Sequence, residues 1–155
     1  MNFQRGQSLF ELVVAIAISA LIIVAIVSLT TNSIQNSNFS RNKAQASTYA
    51  QQAMEWLRGQ RDGNVSAFIA FATIPAYCLQ DLRDLSDSVW ASRQTVDPEH
   101  YCTTKISGTV FNRWVTFSTT NPSGKTVVEA DVTVSWSDSQ GVHEVVSATK
   151  LADLR

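Results

Sequence analysis

Cys78, His100, Cys102 and His143 are the side chains that could ligate a metal or act as nucleophiles. His100-x-Cys102 is a cramped pair for one ion, and Cys78 has no Cys-x-x-Cys partner, so the spacing does not spell a zinc site. In an exported chain an isolated cysteine pair reads most simply as one disulfide, worth about 3–4 kcal/mol for a loop of this size. Disulfide and metal ligation stand as the two readings of these residues; a nucleophilic cysteine lacks catalytic context. Asp81, Asp84 and Asp87 recur at even spacing and could attract a cation. No EF-hand loop surrounds them, and scattered solvated carboxylates are the plainer account. The sequence has no Ser/His/Asp arrangement of recognisable spacing, no phosphate-cradling Gly-rich loop and no Gly-x-Ser-x-Gly. It is therefore read as no enzyme, with no cofactor and no metal.

One further carboxylate stands in an unusual place. Glu11 lies at the edge of LVVAIAISALIIVAIVSL, which runs from Leu12 to Leu29 without a charge, Pro or Gly. As a helix at 1.5 Å per residue the run is about 27 Å long, close to one hydrocarbon core. A plain anchor has no use for Glu11, because an unpaired charge there costs free energy. A partner for it is expected. Three plainer accounts of the segment exist. A secretory signal peptide would need a shorter apolar region and a better cleavage site than Ser28-Leu29-Thr30. A plain signal anchor leaves Glu11 unexplained, and a buried core helix exceeds what so small a domain could cover on all faces.

The start of the chain resembles the type IV pilin-like proteins. A short leader, Met1 to Gly6 with Arg5 as its cation, ends in Gly. Glu11 is the fifth residue after it, and the apolar helix follows. Gln7 stands where that family most often has Phe or Met. The resemblance covers about the first thirty residues. It implies cleavage by a prepilin peptidase between Gly6 and Gln7, N-methylation of the new Gln7 amine by the associated methyltransferase, and pairing of Glu11 with that amine in a neighbouring subunit. It further implies residence in membrane lipid before assembly, then growth into a filament with other pilin or pseudopilin subunits on an inner-membrane assembly platform. The part after the apolar run would lie outside. Charge bias alone does not settle that orientation, because Arg41 and Lys43 flank the other end of the run.

The remaining elements follow from pattern. A chain of 155 residues suits one modest domain plus a long helix. Hydrophobic residues make up 45%, concentrated in the first thirty positions, while a net charge of −1 gives no basic surface for nucleic acid. No Pro or Gly interrupts Gln7 to Arg58, so one continuous helix is expected, weakened by Ser, Thr and Asn between Thr30 and Asn42. Its second half is amphipathic: Phe39, Ala46, Ala50, Ala53, Met54 and Leu57 form a stripe, with Tyr49 and Trp56 on one side. Gly59 and Arg61-Asp62-Gly63-Asn64 are read as its end. Val65 to Ile74 suggests a short helix; Leu79 to Leu85 shows no strand pattern, and Thr95 to Cys102 reads as a surface loop.

Thr109 to Thr119 predicts a strand with Phe111, Val115 and Phe117 on one side and Val110 and Trp114 on the other. After the Asn121-Pro122-Ser123-Gly124 turn, Val128, Ala130, Val132, Val134 and Trp136 alternate with Glu129, Asp131, Thr133 and Ser135. A second turn at Ser137 to Gly141 leads to a third strand, Val142 to Leu151. The expected fold is α+β, an antiparallel meander of three strands packed on the amphipathic half of the long helix, with one face polar. In domain terms this is a leader at 1–6, a membrane or filament-core helix at 7–30, an amphipathic half at 31–60, and an exported domain at 61–155 with loops at 61–104 and sheet at 105–152. Val132-x-Val134-x-Trp136 is similar to a pattern near the C-terminus of V-type minor pilins and I-type minor pseudopilins. That resemblance implies a minor subunit. The other function class compatible with the residues is a non-polymerising, membrane-anchored binding module, which would tolerate loss of Glu11.

Overall fold

The computed structural model describes residues 7–121 and 125–152. It is α+β. Helix α1 runs from Gln7 to Gly63, and the chain divides into two compact units, Met1–Arg41 and Asn42–Arg155.

The first unit stays helical through Thr30–Asn38, part of the polar stretch whose composition was expected to weaken the helix. The hydroxyls of Thr30 and Thr31 donate to the carbonyls of Ile26 and Val27 at 2.9 Å, and Ser19 does the same to Ala15 at 2.8 Å. Bonded inside the helix, these groups do not compete for its amides, and their polarity is internally satisfied.

In the second unit, Ala46, Ala50, Ala53, Met54 and Leu57 of α1 are buried, as the amphipathic stripe predicts. The helix does not stop at Gly59, which lies inside it with open space around its Cα. A glycine there costs about 1 kcal/mol relative to alanine. Gln60, one residue on, accepts a hydrogen bond from the Leu85 amide at 3.1 Å, so tertiary contacts hold the last turn. The break comes at Asn64, whose side-chain Oδ1 caps helix α2 (Val65–Phe71) by accepting from the Ala67 amide at 3.0 Å.

The sheet has five strands, not three. In chain order they are β1 (Ala76–Cys78), β2 (Gln94–Thr95), β3 (Asn112–Thr120), β4 (Val127–Asp138) and β5 (Gly141–Ala152). They lie in the order β2-β1-β3-β4-β5, all pairs antiparallel. β3 to β5 form the expected meander. The two short strands come from the region read as loop, and they exist because β3 offers a free edge on which Ala76–Cys78 can pair. The β4–β5 turn is tight: Asp138 pairs with Gly141, which sits at φ 124, a conformation other residues resist. The expected β3–β4 turn at Asn121 to Gly124 lies partly outside the described residues.

Val128, Ala130, Val132, Val134 and Trp136 of β4 are all buried, together with Phe111, Val115 and Phe117. This face meets α1, where the rings of Tyr49 and Phe111 lie 5.4 Å apart, and α2, where Phe68 meets Phe117 edge-on at 6.2 Å. A second aromatic cluster centres on Phe71, stacked on Tyr77 at 3.9 Å and edge-on to Trp90 at 5.2 Å. Trp90 belongs to a 3₁₀ turn, Ser88–Arg93. The opposite face is not simply polar and solvated. Trp114, Thr133 and Ser135 are buried there, and the short helix α3 (Pro98–Tyr101) packs against β1 and β3. The expected loop at Thr95 to Cys102 is thus a turn of helix laid on the sheet.

Candidate functional site

Helix α1 begins at Gln7, and Gly6 lies outside the described residues. From Leu9 to Ile34 every large apolar side chain is exposed: Phe10 is 73% exposed, Leu21 72% and Leu29 70%. An 18-residue window of this helix has a mean hydropathy of 3.1, enough by length and composition to cross a membrane. Such a surface is stable only in lipid or against other apolar helices. Glu11 is the one carboxylate within it and shares a helix face with Val14, Ala15 and Ile18. Among the described residues it has no cation beside it.

The other candidates from sequence are kept apart. Cys78 and Cys102 are joined by a disulfide, S–S 1.98 Å and Cα–Cα 5.3 Å, which ties the C-cap of α3 to β1. Both sulfurs are consumed, which removes the metal reading. His100 lies edge-on to Tyr101 at 5.3 Å, while His143 bonds Asp138 across the β4–β5 hairpin at 3.0 Å.

Asp81, Asp84 and Asp87 do not converge on a cation site. Each is occupied by an arginine or a backbone amide. Asp81 pairs with the buried Arg93 and with Arg83, the latter at 2.7 Å. Arg93 lies over the Trp90 ring, 5.1 Å from its centre. Asp84 accepts from the Ser86 amide at 2.9 Å, and Asp87 caps the 3₁₀ turn through the Val89 amide at 3.0 Å. All three carboxyls are held below their ordinary range: Asp81 chiefly by Arg93, Asp84 by the Ser86 amide, Asp87 by the Val89 amide and then Arg83. Together these contacts bind the 79–95 segment into a fixed structure.

Arg113 was missed in the sequence. It is 3% exposed and sits on the core face of β3 between Phe111 and Val115. Its Nε donates to the Leu79 carbonyl at 2.9 Å and its Nη1 to the Tyr49 carbonyl of α1 at 3.0 Å. Burial pushes its pKa down to about 10, so it remains charged at neutral pH. Strand parity was the available signal, since a residue flanked at i±2 by core aromatics and valine points inward.

Residues 1–27 match the family model described as the prokaryotic N-terminal methylation motif. No curated protein and no solved structure matches the chain. Residues 1–27 thus carry the type IV prepilin signature, and the N-terminal helix fits a single-pass membrane anchor.

Proposed function

We propose that this chain is a structural subunit, a minor pilin or pseudopilin, of a type IV pilus or of a related type II secretion or DNA-uptake filament. The observation that carries the reading is the prepilin signature over residues 1–27 together with the exposure of every large apolar side chain from Leu9 to Leu29 around one carboxylate. The precursor sits in the inner membrane through α1 with its α+β domain outside, in the oxidising compartment that suits the Cys78–Cys102 disulfide. A prepilin peptidase cuts after Gly6 and its methyltransferase activity modifies Gln7. The helix then exchanges lipid for sister helices on the assembly platform, and the cohesion comes from packing of Leu12 to Leu29. Glu11 pairs with the residue-7 amine of a neighbour. In low dielectric that contact offsets part of the desolvation of both charges, and a subunit out of register leaves both unpaired. The pair therefore sets position more than it adds stability. The similarity of Val132-x-Val134-x-Trp136 to the minor-subunit pattern supports a minor rather than a major component.

Intact mass of the protein from membranes, with and without a co-expressed prepilin peptidase, tests the reading. The expected product with peptidase begins at Gln7 and is heavier by one methyl group. A full-length chain under both conditions, or a cut near Thr30, would overturn it and leave an anchored or secreted domain.

A further inference from the structure

The outer face of the sheet, opposite α1, carries a groove of about 550 Å³ between α3 and the β3–β5 strands. Its floor is the cross-strand row Trp114–Thr133–Val146, in which Trp114 pairs with Thr133 and Thr133 with Val146. Four carboxylates line it: Asp97 and Glu99 from the α3 side, Asp131 from β4 and Glu144 from β5. Asp131 precedes Thr133 by two residues on the same face, and Glu144 pairs with Ser135 two residues after it, so the two acids flank Thr133 diagonally. Asp97 is partly used in capping α3, accepting from the His100 amide at 3.3 Å. Glu99, Asp131 and Glu144 have no cation partner among the described residues, and no Lys or Arg lines the groove.

A second observation is independent of the acids. Thr133 is only 7% exposed, it lines the groove, and its hydroxyl has no hydrogen-bond partner among the described residues. A β-branched hydroxyl so placed, beside an indole and a valine, is a waiting acceptor in a site with an apolar floor and an acidic rim. The described His, Cys, Asp and Glu side chains include no group placed to hold a metal ion. The chemistry that matches is an amphipathic cation, whose methylene stem lies on Trp114 and Val146 while its head reaches the carboxylates and the Thr133 oxygen.

We infer that this groove is a docking site for a Lys- or Arg-bearing segment of another protein subunit. Charge complementarity selects that occupant: a rim of one sign with a partly desolvated floor favours a cationic side chain and disfavours an acidic or purely apolar one. The β5 edge leaves the groove accessible from one side, because β5 is the terminal strand of the sheet. The inference goes beyond the filament reading and does not require Gly6 cleavage or Glu11 pairing.

The test uses the full chain in an uncharged detergent and a fluorescein-labelled peptide of alternating Lys and Thr, followed by anisotropy at about 0.15 M salt, where exposed charges are screened beyond about 8 Å. Saturable binding is expected, weakened about tenfold in the double variant Asp131→Asn/Glu144→Gln and several-fold in Thr133→Val. The control variant Glu55→Gln/Asp62→Asn, with the same change in net charge on exposed helix positions, should bind like the parent. Near-UV circular dichroism identical to the parent shows that each variant is folded. Equal weakening in the control would mean diffuse attraction and overturn the site, as would absence of saturable binding or an unaltered Thr133→Val. Self-association of the chain that the Asp131/Glu144 variant abolishes would make the occupant a second copy, and so overturn the assignment to another subunit.

Discussion

Replacing Arg113 separates two things a buried cation does. Its guanidinium gives hydrogen bonds to the Leu79 and Tyr49 carbonyls at 2.9 and 3.0 Å and stands with its stem among Phe111, Val115 and the α1 backbone. Bonds from a charged donor are worth about 1.5–3 kcal/mol each, so the two contribute about 4 kcal/mol. Against this stands the desolvation of the charge. The lowering of its pKa to about 10 corresponds, at about 1.4 kcal/mol per unit, to a cost of about 3 kcal/mol. Arg113→Met keeps most of the volume and removes both terms, so it should leave stability within about 1 kcal/mol of the parent. Arg113→Ala removes the same two terms and adds a cavity, for a loss of about 3 kcal/mol or more. Urea unfolding of the detergent-solubilised chain followed by tryptophan fluorescence reads both, since Trp56, Trp90, Trp114 and Trp136 all lie in the second unit. Met as damaging as Ala would refute the reasoning. It would mean that the clamp on the Tyr49 carbonyl, rather than filled volume, holds helix to sheet.

Three further outcomes are expected. Reduction of the Cys78–Cys102 bridge should lower stability by about 3.5 kcal/mol on the loop-entropy account, read as a fall in the urea midpoint with reductant that the Cys78→Ser/Cys102→Ser variant shows without it. Asp81, Asp84 and Asp87 sit below their unfolded values, so the unfolded chain binds protons first as the medium is acidified. Their contribution is whole above about pH 4 and is lost as pH falls from there through the depressed folded values. Urea midpoints between about pH 6 and pH 2 should decline accordingly, with a shallower decline in Asp81→Asn; a flat profile in the parent would contradict the assignment. Glu11→Ala should insert in the membrane normally yet be missing from sheared filaments, as judged by immunoblot of the two fractions. Normal incorporation would remove Glu11 from any role in register.

How much of this could be read before the structure depends on how local the cause is. The outward-facing helix of the first unit follows from composition alone: a run from Leu12 to Leu29 with no charge has no polar face to turn toward water. The alternation in β4 is equally local, because side chains at period two must fall on opposite faces, and Val128, Ala130, Val132, Val134 and Trp136 are all buried as that rule requires. The cysteine pair needed only an oxidising compartment to suggest the bridge. The end of α1 falls within the expected Arg61–Asn64 turn but not at Gly59, which misled for the same reason the rest succeeded. Gly59 is a local stop signal, and a distant amide, that of Leu85 on Gln60, lies in the turn that runs past it.

Other features had no local cause to find. β1 and β2 carry five residues between them, too few to show a period, and exist only through the edge that β3 presents. The burial of Trp114 and Thr133 on a face that reads as polar depends on α3 being laid across the sheet, and the disulfide from Cys102 to Cys78 holds it there. Arg113 reads as surface by residue type and is core by parity, and which of the two wins is decided by carbonyls of Tyr49 and Leu79 that are distant in sequence. The sequence by itself determined what each segment must do with its apolar side chains: insert into lipid or a helix bundle, pack as a stripe, or alternate in a sheet. Only the tertiary structure decided which polar groups those packings enclose, because the hydrogen-bond partners of a buried Arg are set by backbone brought together from separate parts of the chain.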